Sequence, residues 1–490
     1  MASTEENLKA TKDSSQEDIM SLLRPPVLAT STVLNKAAFA QTFNIAAASV
    51  RDIKKITRIR QELSKSKDLL AIERHPSVVP DPDTSLAAKG RKCLILKPAI
   101  SPTKPETWGP VISELVKQED VGIVPYKLEL GYDYWTYRDV LTSLLPPELH
   151  DDIPAGFNTA GHVAHLNLRQ QHLPYKSLIA EVLIDKNQHI KTVINKTNDV
   201  GAENEFRTFP YELLAGPADL KVELIENKCI FRFDYATVYW NSKLEKEHTR
   251  LMGIFKPGEV VCDVMAGIGP FAVPAGKKGV FVWANDYNPE SYKYLREAID
   301  KNKVGPFVRA YNADGRVFIH QAADEVFAAS QAGEAAIIPC KKPSRNARND
   351  PKTVQSEPTR IPVPPTISHF VMNLPASAIE FLPHFRGVYA GHEDLFAPHT
   401  EKKLPVVHTH CFALKSDDEV PRLDVAQRVS KELGVSLEWD GVLDTPGDRR
   451  DMAIIDGKVS VHYVREVSPH KTMYCASFRV PAEVAFAPRS

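Results

Sequence analysis

The stretch Val260-Val-Cys-Asp-Val-Met-Ala-Gly-Ile-Gly-Pro-Phe271 limits what this chain can fold into more than any other. Val260, Val261 and Val264 make an apolar β run, Asp263 lies near its end, and Gly267 and Gly269 come directly after. The glycines let the backbone turn tightly and let a ligand approach bare peptide. A strand that ends in a glycine turn is how doubly wound α/β domains hold nucleotide-like cofactors, although the Gly-x-Gly spacing alone is common in loops. Residues 279–284 predict a second buried strand, ending at Asn285 and Asp286. That places an acid about twenty residues beyond the glycines, where a carboxylate binds ribose hydroxyls. The third glycine of a dinucleotide loop is missing: position 272 is Ala, and Pro270 and Pro274 sit early in the segment after the turn. This argues against NAD and favours a cofactor without a pyrophosphate, such as S-adenosylmethionine.

A chain of 490 residues, 43% hydrophobic and 25% charged, has room for several soluble globular domains and a large core. Its net charge of −1 gives no global steering toward nucleic acid, so an RNA site must be a local basic patch. The six cysteines are scattered without a C-x-x-C pair, which indicates neither a zinc site nor a disulfide framework, and no metal is expected. Free thiols fit a reducing compartment, the cytoplasm first, with the nucleus and mitochondrial matrix left open. No run approaches the roughly 18 apolar residues of a membrane span. The acidic Glu5, Glu6, Glu17 and Asp18 do not suit a targeting peptide. Residues 25–61 carry Asp52 as their sole acid against Lys36, Arg51, Lys54, Lys55, Arg58 and Arg60. That suits a mitochondrial presequence if translation starts at Met20, and equally an ordinary basic helix.

Four domains are expected: a disordered tail over 1–19, an N-terminal α+β domain over 20–130 and a middle α+β domain over 131–240. A Rossmann-like α/β domain with a mostly parallel, seven-stranded sheet then covers 241–490. In the middle domain, residues 161–169 alternate as a strand, with His162 and His165 on opposite faces, and residues 178–184 and 191–195 suggest a hairpin of two strands. Arg207 lies between Phe206 and Phe209, as either a packed surface residue or a cation presented to a ligand. A charged helix over 245–252 carries Glu247 and His248 and leads straight into the glycine strand. Beyond it, Asn288 and Pro289 are the N-cap and first residue of a helix reaching 302. Residues 308–311 form a third strand, succeeded by Asp314, which in this architecture commonly meets an adenine amino group. Residues 329–366, rich in Pro, Ser, Asn, Lys and Arg, read as a disordered surface insertion. Strands four and five cover 368–372 and 406–414, and a final strand pair covers 459–464 and 473–480.

Strand four ends in Asn373-Leu-Pro-Ala376, beside the switch point where such sheets bind ligands. An Asn carboxamide there offers both a donor and an acceptor to a planar base. In adenosylmethionine-dependent enzymes, an Asn-x-Pro turn at this place holds a nitrogen in line with the methyl group.

Residues 239–247 (Tyr-Trp-Asn-Ser-Lys-Leu-Glu-Lys-Glu), 263–271, 285–289 and 372–375 together resemble the eukaryotic and archaeal tRNA (guanine-N1)-methyltransferases, which modify guanosine 37 beside the anticodon. The likeness extends over about residues 130–490, is weak before 130 and is absent in 329–366. It implies S-adenosylmethionine over Gly267 and Gly269, with Asp263 also in the cofactor site, Asp286 on the ribose and Asp314 as the third-strand acid. It implies a tRNA with guanosine at position 37 as partner, bound by a monomer. Glu247 aligns with the family's general base, Arg207 with its guanine-O6 cation, and Asn373 with the residue that fixes the guanine edge. Tyr239 and Pro375 align with positions that shape the pocket. Lys243 and His248 depart from the arginines of archaeal members while remaining in the substrate region. The competing readings are an aminocarboxypropyl transferase of wybutosine synthesis, built on a like fold, and a non-catalytic tRNA-binding protein.

Overall fold

The computed structural model describes residues 24–28, 31–197, 206, 210–338, 358–398, 403–416, 418–444 and 454–489. The described residues fall into two compact units. One draws on 1–157, 166–195 and 213–217, and the other on 158–165, 196–212 and 218–490. The expected middle domain is therefore divided between them.

The first unit is built on a four-stranded antiparallel sheet in the order Val78–Pro80, Lys92–Ile95, Gln41–Val50, Val121–Leu130. The inner strand Gln41–Val50 is buried from Ile45 onward. Its Ala46 and Ala48 lie in one cluster with Ile59 and Leu63 of the helix Ile56–Lys65 and with Ile112 and Leu115 of the helix Pro110–Lys117. A further helix, Tyr137–Leu144, starts at a reciprocal capping box between Thr136 and Asp139. The expected strand over 178–184 is instead part of the helix Lys176–Lys186. Leu178, Ile179, Val182 and Leu183 recur at one, four and five residues, the spacing of one helical face, and all four are buried. The short apolar run 178–184, interrupted only by Glu181, fits the length of a buried strand as well as a helical face.

The second unit holds an eight-stranded sheet in the order Val308–Tyr311, Phe281–Asn285, Val260–Asp263, His369–Met372, Val406–Leu414, Lys471–Arg479, Lys458–Ser468, Glu438–Trp439. The first five strands are parallel, and Lys471–Arg479 runs antiparallel to both neighbours. Seven strands are those expected for a Rossmann-like methyltransferase sheet, and the two-residue Glu438–Trp439 adds an edge. Chain order reverses between Val260–Asp263 and His369–Met372, so the glycine turn and the Asn373 turn leave adjacent strands at the switch point. Val260–Asp263 is wholly buried between two parallel neighbours, which is why its sequence is continuous and apolar instead of alternating. Asn288 caps the helix Pro289–Asn302 through Glu290 N at 3.0 Å, with Pro289 in the first turn as expected.

Within the expected insertion 329–366, the described residues 329–338 and 358–366 include regular structure. Its start finishes the helix Gly315–Gln331, and Ala335–Ile338 pairs antiparallel with Thr359–Pro362. Residues 339–357 lie outside the described residues, as does the tail 1–19. No described helix is long and apolar enough to cross a membrane.

Candidate active site

The glycine turn is held open by its neighbours. Gly267 has φ +56°, and a Cβ there would meet nothing within 4 Å. Gly269 has φ +93°, and a Cβ there would lie 2.7 Å from Leu295 Cδ1 and 2.9 Å from Val273 Cγ2. One glycine thus leaves space above the turn, and the other lets two helices close beneath it. Asp286 accepts the amides of Gly267 at 2.8 Å and Asn288 at 3.0 Å, tying the acid to the loop. Burial raises its carboxyl above the ordinary value.

Asn285, which the sequence marks only as the end of a strand, stitches the cradle together. Its Nδ2 donates to the carbonyls of Val264 and Ala313, each at 3.0 Å, and its Oδ1 accepts Ala313 N at 2.8 Å. The clue in the sequence is an Asn at the end of a buried strand, where every polar group must find a partner. Asp314 caps the helix Gly315–Gln331 through Arg316 N at 2.8 Å, and its other oxygen meets Arg316 Nη1 at 3.1 Å.

Beneath the turn, Asp263 is fully buried and neither carboxyl oxygen has a hydrogen-bond partner. Burial first, then the charge of Asp286, pushes its pKa up to about 8. A buried carboxyl without a hydrogen-bond partner, on the strand that leads into the glycine turn, fits a cofactor that carries a cationic amino group.

Glu247 faces inward from the helix Glu245–Ile254. Arg250, one turn later, forks onto it: Nε to Oε2 at 2.7 Å and Nη2 to Oε1 at 2.7 Å. His410, on the fifth strand, places Nε2 2.8 Å from Oε1 and Nδ1 3.4 Å from the Met372 carbonyl. Burial alone would raise the Glu247 carboxyl, but Arg250 and His410 outweigh it and hold the group well below the usual carboxylate range. Burial opposes a charge on His410, yet the Cys475 and Glu247 contacts raise its pKa to about 10, so both ring nitrogens carry protons. The donor atoms of Glu247, His410 and Cys475 lie within 4.8 Å of one another. Arg250 and the protonated His410 already supply positive charge there, which opposes a metal cation.

His410 also joins Glu247 to the turn after strand four, because Met372 immediately precedes Asn373. That turn is fixed by Leu374 O, which accepts Ser377 N at 2.9 Å and Ala378 N at 2.7 Å, and by Phe412 N donating to Pro375 O at 3.1 Å. The Asn373 Oδ1 is buried without a partner. Phe271 of the glycine turn packs its ring 6.1 Å from His410 and 4.6 Å from His248. Glu247, the Asn373 turn and the glycine turn therefore meet around His410. No sequence pattern marks Arg250 or His410; only their spacing in three dimensions does.

The remaining expected residues have varied surroundings. His248 is buried and bonded through Nδ1 to Glu226 Oε1 at 2.5 Å, turned from Glu247. Tyr239 is exposed, with its hydroxyl 3.3 Å from Asn241 Nδ2. Lys243 is exposed in the 3-10 turn Ser242–Leu244 that precedes the helix Glu245–Ile254, and its pKa is lowered by partial burial and then by Arg465. Arg207 lies outside the described residues. Its neighbour Phe206 packs 6.0 Å from the ring of Tyr287, the residue after Asp286. His162 and His165 are structural: the first meets the Asp219 carbonyl at 3.1 Å, the second the Tyr235 hydroxyl at 3.1 Å.

A family model described as the TYW2 N-terminal domain matches residues 137–219, and one described as the TRM5/TYW2 methyltransferase domain matches residues 223–335. The fold is similar to that of Trm5b from Pyrococcus abyssi, with a TM-score of 0.54 and 19% identity over 89% of this chain and 99% of that one. It is equally similar, at TM-score 0.54 and 16% identity over 89% of this chain and 100% of the other, to aTrm5 in its complex with tRNALeu. Among curated proteins, the tRNA (guanine(37)-N(1))-methyltransferase of Fusarium vanettenii is 57% identical over 471 residues, 96% of this chain and 98% of that one. That of Neurospora crassa is 55% identical over 490 residues, the whole of both chains. Identity at this level along the whole length shows that the chain belongs to the tRNA (guanine(37)-N(1))-methyltransferase family.

Proposed function

We propose that Glu247 is the base that takes the N1 proton of guanosine 37, that Asn373 holds the guanine edge, and that S-adenosylmethionine lies over Gly267 and Gly269. N1 of guanine carries a proton and is a poor nucleophile until that proton is removed. A positioned base is worth about 10²–10⁴-fold in rate. Glu247 is ionised under working conditions, because Arg250 and His410 favour its charged form. The Asn373 carboxamide has an oxygen free to accept from the base's amino or imino group. As N1 is deprotonated, charge builds on O6, and a cation aimed there stabilises it. Arg207 is assigned that role on its alignment with the family. Asp263 would hold the cofactor's amino group and Asp286 its ribose, with Asp314 near the adenine. The cofactor supplies the electrophilic methyl group. A guanosine beside the anticodon is stacked and must be turned out to reach the pocket. Tyr239, Lys243 and Pro375 are assigned to the rim that receives it, and the buried His248 is assigned to its support through Glu226 and Phe271.

The observation that carries this reading is the meeting of Glu247 and the Asn373 turn at His410, beside the glycine turn. The test is single-turnover methylation of tRNA transcripts bearing guanosine or adenosine at position 37. Glu247→Gln should retain cofactor affinity and lose about 10²–10⁴-fold in rate, and mass spectrometry should show one methyl gained on guanosine. An unchanged rate removes Glu247 from the mechanism, and a product carrying the aminocarboxypropyl group selects the competing transferase. The chain is taken to act as a monomer in the cytoplasm, which sedimentation and localisation of the tagged protein would check.

A further inference from the structure

His410 sits in the middle of the fifth strand, Val406–Leu414, and is fully buried. Burial alone favours a neutral imidazole. Two acceptors flank this one: Nε2 lies 2.8 Å from Glu247 Oε1, and Nδ1 lies 3.4 Å from the Met372 carbonyl. A neutral ring would turn a lone pair toward one of those oxygens. The charged ring donates to both, and its contacts with Cys475 and Glu247 hold it in that form. His408, two residues earlier on the same face of the strand, has neighbours of another kind. Its Nδ1 lies 2.8 Å from Ser477 Oγ and its Nε2 3.1 Å from His369 Nδ1, groups able to donate as well as accept, and burial keeps it neutral.

The donors on Glu247 are unevenly divided. Oε1 accepts Arg250 Nη2 at 2.7 Å and His410 Nε2 at 2.8 Å, whereas Oε2 accepts Arg250 Nε at 2.7 Å. His462 Nε2, 4.0 Å from Oε2, is beyond hydrogen-bond distance. Each carboxylate oxygen has room for about two donors, so Oε1 is filled and Oε2 keeps a lone pair. Arg250 shares a helix with Glu247 and fixes the carboxylate against that helix. His410 ties it to the sheet, through the carbonyl of the residue before Asn373 and against the ring of Phe271 in the glycine turn.

We propose that His410 is a positioning residue for methyl transfer: by occupying Oε1 and anchoring it to the Asn373 turn, it leaves Oε2 as the oxygen that takes the N1 proton. The inference rests on reading Glu247 as the base, and adds which of its atoms acts and what holds that atom in place. The N1–H bond breaks as an O–H bond forms on Oε2. The electron pair left on N1 forms the bond to the methyl carbon, and the carbon–sulfur pair stays on sulfur. His410 touches neither ligand and keeps both its protons throughout. Charged and titratable groups face it from every side: Glu247 and Arg250 from the helix, Cys475 from the antiparallel strand, His408 from its own strand and Asp263 from the glycine strand. His462 reaches it only across Glu247.

The test uses the full-length enzyme, tRNA carrying guanosine 37, and single-turnover rates at saturating cofactor and tRNA from acid to neutral pH. Glu247 must be charged to accept a proton, so the rate falls as pH drops through its pKa. Arg250 and His410 hold that pKa well below the usual carboxylate range, so the unaltered enzyme should keep its plateau to the acid end. His410→Gln keeps an amide donor and loses the charge, while His410→Phe loses both. The plateau rate should fall about tenfold in the first and about 10²-fold in the second. In both, the acid limb should move to higher pH, further in His410→Phe, because burial then raises the Glu247 carboxyl. If the variants do not fold, nitrogen NMR of labelled histidines in the unaltered enzyme and in Glu247→Gln decides. One ring should hold both protons through the neutral range in the former and begin to titrate there in the latter, and the absence of such a ring overturns the proposal. A plateau rate within about threefold of the unaltered enzyme overturns it too, whether or not the limb moves. So does a lowered plateau whose acid limb stays in place. Loss of activity in Glu247→Gln with both His410 variants unaffected sinks the positioning role alone, whereas full activity in Glu247→Gln sinks the underlying assignment.

Discussion

The two glycines of the turn should fail in different ways when each is changed to alanine. At Gly269, φ +93° puts an alanine in a strained backbone region, and its methyl would collide with Leu295 and Val273 at 2.7 and 2.9 Å. The backbone term is about 1–2 kcal/mol and overpacking adds about 1–3 kcal/mol, for a destabilisation of about 2–5 kcal/mol. At Gly267, φ +56° carries the same backbone cost, but the methyl meets nothing within 4 Å. Its destabilisation stays at about 1–2 kcal/mol, and the methyl instead intrudes into the space assigned to the cofactor. Because the chain has two compact units, a single unfolding midpoint would blur them. Hydrogen exchange in the strands Val260–Asp263 and Phe281–Asn285 reads the affected unit directly, and calorimetric titration reads S-adenosylmethionine affinity. Gly269→Ala should lose protection strongly. Gly267→Ala should lose little protection but at least about tenfold in affinity, the factor that corresponds to 1.4 kcal/mol. Equal loss of protection in both variants, or unchanged affinity in Gly267→Ala, would refute the division of labour.

Asp263, neutral up to a pKa of about 8, should lose its proton when a cationic amino group binds beside it. Titration of the cofactor at pH 7 in buffers of differing ionisation heat should therefore show proton release, absent in Asp263→Asn, and affinity should rise toward pH 8. Its folded pKa lies above the unfolded value, so the free protein should lose stability as pH rises from about 4 to about 8. Hydrogen exchange at Val260–Asp263 across that range, compared with Asp263→Asn, isolates this contribution. Asn373→Ala should leave stability nearly unchanged, because the turn is held by the backbone bonds of Leu374 and Pro375. It should cost about 10²-fold in single-turnover rate, measured at saturating cofactor and tRNA.

How much of this molecule is legible in its sequence depends on how far apart the cooperating residues lie. The glycine turn, Asp286, the Asn288 cap and the Asn373 turn are each local: the strand, the turn and the acid sit within a few tens of residues, so spacing alone predicts them. The helix Lys176–Lys186 imitates a strand because a short, nearly continuous apolar run fits a buried strand as well as a buried helix segment, and periodicity alone does not separate them. The network around Glu247 is of another kind. Arg250 is three residues away and reads as an ordinary charged helix position, His410 is 163 residues away on a central strand, and Asp444 reaches it only through His462. Nothing in the sequence distinguishes these from buried histidines satisfied by a neighbour, as His408 is by Ser477 at 2.8 Å. What separates them is the direction of their hydrogen bonds. His410 faces a carbonyl and a carboxylate, two acceptors, and must be a donor at both nitrogens. His462 faces two carboxylates, Asp444 at 2.5 Å and Glu247 at 4.0 Å. Two histidines on different strands thus stand beside one buried carboxylate. That arrangement is set by sheet order, which brings Lys458–Ser468 and Val406–Leu414 to either side of Lys471–Arg479.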